Sequence, residues 1–163
     1  MFTTPTRGII TALVLAATAM PVAAETIVRD VEVTADMDAL QNAEAAERWT
    51  NLADDLENAI VANLVGMTGE EGAKVLIDID EVELANSFQS AMGVADSRLV
   101  GDVAVTHDSD NTKFDAYKLT VTFEQAGPFF LPGTDLTAIT TDSEEYYDGM
   151  IAAFADHVVQ KLK

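Results

Sequence analysis

The stretch that decides the fold runs from Arg98 to Gln125: RLVGDVAVTH over Arg98–His107, the polar run DSDNT over Asp108–Thr112, and KFDAYKLTVTFEQ over Lys113–Gln125. Alternation puts Leu99, Val103 and Val105 on one face of the first arm, and Tyr117, Leu119, Val121 and Phe123 on one face of the second. The opposite face carries Asp102, Thr106, Lys118, Thr120, Thr122 and Glu124. Two such arms around Asp, Ser and Asn predict a hairpin in a sheet that is apolar on one side and wet on the other. An antiparallel sheet tolerates that arrangement and a parallel one rarely does.

Upstream, Thr26–Thr34 (TIVRDVEVT) alternates in the same way, with Ile27, Val31 and Val33 opposite Asp30 and Glu32, and reads as a half-buried strand. From Met37 to Val65 the period becomes helical. Trp49, Leu52, Leu56, Ile60 and Leu64 recur at steps of three and four, with acidic residues between them, until Gly66 and the turn Gly69-Glu70-Glu71-Gly72. Ala73–Leu84 (AKVLIDIDEVEL) starts as a strand, with Val75, Ile77 and Ile79 inward and Asp78 and Asp80 outward. Its register blurs at Glu81 and Val82, which predicts a bulge.

Asn86–Asp96 has no clear period and reads as a connection whose Phe88 and Met92 tuck against the core. Downstream, Asp142 with Glu145 three residues on forms a capping box for a last helix. Its inner stripe is Tyr147, Ile151, Phe154, Val158 and Leu162, with Lys161 and Lys163 where cations suit the helix dipole. The order β-α-β-β-β-α predicts an α+β fold, a four-stranded, mostly antiparallel sheet with two helices on one face. A right-handed crossover through the first helix makes the first two strands parallel and the last three a meander.

Residues 1–24 read as a secretory signal peptide: Arg7, an apolar run from Gly8 to Met20, then small residues Val22 and Ala24 at the cleavage site. The run is shorter than the roughly 20 residues a bilayer span takes, and Glu25 follows at once. A single domain over residues 25–163 is expected, periplasmic or secreted, with no stable membrane anchor after cleavage. The chain of 163 residues has 28 Asp or Glu against 9 Lys or Arg, a formal charge of -19. Nucleic acid and anionic lipid are disfavoured as partners, because the basic residues stand singly and cannot displace counterions together. An apolar content of 48% supplies a core, so the acidity reads mainly as a solubility device.

No Cys is present, which removes disulfides, thiolate zinc sites and Cys nucleophiles. Of the two His, His157 reads as a boundary residue of the last helix, and neither His107 nor His157 accompanies a nucleophile elbow or a phosphate-cradling glycine loop. The run His107–Thr112 begins like a calcium loop but has Lys113 where glycine belongs and Leu119 where the closing Glu belongs, so a plain turn is expected. No cofactor and no catalysis are expected.

Two surfaces remain. Gly127–Gly133 (GPFFLPG) sets Phe129, Phe130 and Leu131 between two prolines, either as a cap on the core or as an apolar contact for a partner. The outward acids Asp30, Glu32, Asp78, Asp80, Asp102 and Glu124 form a candidate acidic face for a cation, a small ligand or a basic partner, with Asp78, Asp80 and Asp102 at its centre.

In element order the chain resembles the small α+β domains of uncharacterised exported bacterial envelope proteins, the βα-ββ-α units of lipoproteins of unknown function and of periplasmic parts of outer-membrane assemblies. The segments carrying the resemblance are the Thr26–Thr34 strand, the helix through Trp49, the Ser97–Val103 start of the hairpin and the closing helix to Leu162. The lipid-bearing Cys of many such proteins is lacking. The expectation is a non-catalytic exported protein that acts by contact with an envelope protein. The alternative is a cation- or small-ligand-binding periplasmic module that uses the acidic face.

Overall fold

The computed structural model describes residues 25–35, 47, 49–84, 97–110 and 114–163. The signal segment, the start of the long helical pattern at Met37, and Phe88 and Met92 lie outside these residues. In chain order the elements are β1 (Val28–Ala35), α1 (Leu52–Asn63), β2 (Ala73–Glu83), β3 (Arg98–Thr106), β4 (Asp115–Thr122), α2 (Phe123–Ala126), a single 3-10 turn (Gly127–Phe129) and α3 (Glu144–Leu162). The strands lie in the order β1-β2-β3-β4. β1 pairs parallel with β2, and the two later pairings are antiparallel. The sheet is therefore mixed, with the crossover and meander that the element order implies.

One face of the sheet and the inner stripes of α1 and α3 form the core. Val31 and Val33 of β1, Val75, Ile77 and Ile79 of β2, Leu99, Val103 and Val105 of β3 and Val121 of β4 are buried against Leu52, Leu56 and Ile60 of α1. Tyr147, Ile151, Phe154, Val158 and Leu162 of α3 are buried in the same cluster, so every position of the predicted stripe faces inward. The register of β2 against β3 shifts between Ile79 and Glu81. One extra residue reverses the alternation, which lets Val82 and Leu84 pack toward the core where unbroken alternation would turn them to solvent.

Several boundaries differ from the sequence reading. β1 starts at Val28, and Ile27, expected inward with Val31 and Val33, is 44% exposed while Val28 is buried, because the register shifts between Val28 and Asp30. β4 ends at Thr122, not Gln125, because Thr122 and Gln125 form a reciprocal capping box that starts α2. The Gln125 N–H donates to Thr122 Oγ1 at 3.4 Å, and the Thr122 N–H donates to Gln125 Oε1 at 2.9 Å. Apolar alternation continues through Phe123 and masks this signal. Glu124 therefore leaves the sheet face. Likewise α3 is capped by Ser143, whose Oγ accepts from the Tyr146 N–H at 3.2 Å, one residue after the expected Asp142. Ser143 is as good a cap as Asp, and local bonding chose between neighbours.

Candidate functional site

The loop after α2 divides its three apolar residues. Phe130 packs on the core, its ring 5.4 Å from Phe123, which in turn stacks on Tyr146 at 5.5 Å. It lies so close to α3 that a β-carbon at Gly149 would stand 2.5 Å from its ring, so the absence of a side chain there admits the ring. Phe129 also packs against the core, while Leu131 remains 71% exposed. Two of the residues thus anchor the loop and the third stands in solvent; because Phe129 closes the 3-10 turn and only Phe130 is extended, two neighbouring rings can both face the core.

On the open sheet face, the cross-strand register aligns Thr34, Asp78, Asp102 and Lys118 in one row. The adjoining row is Glu32, Leu76, Ala104 and Ala116, and at its two alanines the face is hollowed by about 590 Å³. The acids do converge here, but around lysines. Lys118 bonds Asp80 and lies 3.1 Å from Asp102. Lys74 reaches Glu32 at 2.6 Å and Asp30 at 3.7 Å. Hydrogen bonding, to Asp80 for Lys118 and to Glu32 for Lys74, raises both ammonium pKa values above the ordinary lysine range. Asp78 accepts from Thr34 Oγ1 at 3.0 Å. Sequence alternation shows which acids face outward; the lysine clamps depend on register, which alternation does not contain.

The described start of the turn after β3 is tied down through the side chains of His107 and Asp108. His107 Nε2 lies 2.9 Å from the Glu71 carbonyl oxygen, which can only accept, so that nitrogen carries the proton. Nδ1 is then left to accept from Ser109, whose Oγ is 3.2 Å away. Asp108 pairs with Arg29 at 2.6 Å, tying the turn to β1. Among the described residues no group of three or more His, Asp or Glu side chains is placed to hold a metal. His157 Nδ1 lies 2.6 Å from the Ala153 carbonyl and donates to it within α3.

The hydrogen bond from Arg29, reinforced by its charge, holds the Asp108 carboxyl below the usual Asp range. Its folded value being depressed, the pairing is complete above the ordinary Asp pKa and is lost as pH falls through the folded value. Carboxyl-carbon NMR should show Asp108 titrating below a typical exposed Asp, and Arg29→Gln should move its midpoint upward. A midpoint unmoved by that change would mean that the pair does not form in solution.

No protein-family model matches the sequence, and no curated protein matches it either. Among solved structures, a Xanthomonas campestris protein of the unknown-function family DUF330 shares 11% identity over 84% of this chain and 84% of its own, with a TM-score of 0.45. A candidate lipoprotein from Caulobacter crescentus shares 16% identity over 81% of this chain and 86% of its own, with a TM-score of 0.35. Superposition this loose says nothing about activity.

Proposed function

We propose that this protein is exported and acts in the cell envelope by contact with another protein, without catalysis. The observation that carries the reading is the division of labour in the Phe129–Leu131 loop. Phe129 and Phe130 spend their apolar surface on the core, and the adjoining 3-10 turn and Pro132 restrict the backbone that holds Leu131 outward. An apolar side chain already held in place loses little freedom on binding, which is how a few anchors come to dominate an interface.

Leu131→Ser is the test. It should leave the melting temperature within about 2 °C of the parent, since the side chain buries little, and abolish capture of the envelope partner in a cross-linking survey. Phe130→Ser should lower stability by about 2–4 kcal/mol by emptying its place beside Phe123 and Gly149. Capture lost only in variants that also unfold would leave the loop as part of the core and sink the contact reading. Export has its own check: N-terminal sequencing of the exported form should begin at Glu25, and a product retaining Met1 would refute cleavage after Ala24.

A further inference from the structure

A second concavity, of about 580 Å³, shares no residue with the Leu131 loop or with the lysine-clamped rows of the open face. It lies where the start of β1 and the Gly69–Gly72 turn meet the ends of β3, β4 and α3. That volume is within the range of roughly 300–1,000 Å³ typical of small-ligand sites. Its apolar lining includes Ile27, Val105, Phe114 and Leu162. Ile27 is 44% exposed and Phe114 62% exposed, so two of the large apolar side chains that folding leaves in water border the same pocket. Exposed apolar groups gathered round a concavity, rather than scattered, mark a binding surface.

The polar groups of the pocket decide the sign of the ligand. Glu25, Glu71 and Asp115 line it, and none of them forms an ion pair or a side-chain hydrogen bond with a described residue. On the open sheet face, by contrast, Lys74 and Lys118 between them pair with four carboxylates. Against the three carboxylates of the pocket stand the Lys161 ammonium, which lies 5.5 Å from the Tyr117 ring centroid, and, once the chain is cut after Ala24, the α-amino group of Glu25, so the balance among the described residues stays negative. His107 is bonded through Nε2 to the Glu71 carbonyl. Carboxylates with no partner among the described residues, beside an exposed aromatic ring, suit a cation that has apolar surface of its own, because the ring face and the carboxylates both attract positive charge while the walls take the apolar body.

We propose that this pocket binds a small organic cation, an ammonium group carrying an aliphatic body. The charge of -19 adds a long-range attraction for such ligands. This site stands or falls apart from the contact reading, since it involves neither Leu131 nor a protein partner.

Isothermal titration with hexyltrimethylammonium, below its micelle concentration, tests it, with hexanoate and hexanol as matched anionic and neutral chains. The cation should bind saturably, one per chain, and at least tenfold more tightly than either control. Phe114→Ala should weaken it about tenfold or more, as expected when a ring face is removed from a bound ammonium group, and Asp115→Asn several-fold. Both side chains are exposed, so both variants should keep the parent circular dichroism spectrum. Asp78→Asn, on the lysine-clamped face, should leave the affinity unchanged. Absence of saturable heat, equal binding of hexanol, tighter binding of hexanoate, or an equal loss in Asp78→Asn would each overturn the proposal. If Phe114→Ala misfolds, Asp115→Asn still decides between site-specific and diffuse attraction.

Discussion

Trp49→Ala should destabilise the protein by about 3–5 kcal/mol, a large part of the roughly 5–15 kcal/mol that holds a domain of this size together. Trp49 is fully buried, and it joins α1 to α3 by more than area. Its ring meets Tyr147 edge-on at 5.1 Å, and its indole N–H donates to the Thr141 carbonyl at 3.4 Å. The Tyr147 hydroxyl in turn donates to Asp55 on α1 at 2.6 Å. Truncation empties the largest side-chain volume in the core and leaves a buried carbonyl without its donor. Urea unfolding of parent and variant measures the loss. Parent fluorescence should be blue-shifted and move to the red on unfolding. A folded-state maximum already typical of water would rule out the packing.

Gly72→Ala should be comparably damaging, about 3 kcal/mol, at the upper end of what overpacking usually costs. Gly72 precedes β2, just where β1 first pairs with it through Val28 and Ala73. A β-carbon at this position would lie 2.6 Å from Arg29 N and Val28 C and 2.7 Å from Ile27 O, all backbone atoms. No rotamer change relieves a clash with backbone. The strands must part, at the cost of the bond from the Ala73 N–H to the Ile27 carbonyl, now 2.8 Å. Gly127→Ala is the matched control: its backbone is helical and open space surrounds it, so it should be neutral or more stable by roughly 0.5 kcal/mol. Thermal melts of both variants compare the sites. A Gly72→Ala melt matching the parent would show that β1 does not approach the turn so closely.

The particular elements show where reading the chain succeeds and where it stops. Alternation in β3 and β4 and the three-four spacing of Trp49, Leu52, Leu56 and Ile60 are local patterns, and each places the right side chains in the core. The bulge near Glu81 was legible for the same reason, since an interrupted period is itself a local signal. The end of β4 was not legible from hydrophobicity, because Phe123 continues the alternation while turning on to Tyr146. The Thr122–Gln125 capping pattern was there to be read, and the apolar period overrode it.

The candidate sites follow the same division. The sequence by itself determined a four-stranded α+β fold, two helical stripes, an acidic chain and an apolar segment at Phe129–Leu131, because periodicity and residue chemistry act over a few neighbours. Only the tertiary structure decided that Phe130 takes the space beside Gly149 while Leu131 stays out, and that Lys74 and Lys118 sit among the sheet-face acids. Only there, too, do Ile27, Phe114, Glu25, Glu71 and Asp115 border one pocket. Those groups are far apart along the chain, and what brings them together is strand register and helix packing, set by the summed burial of many core residues rather than by any local pattern around the groups themselves.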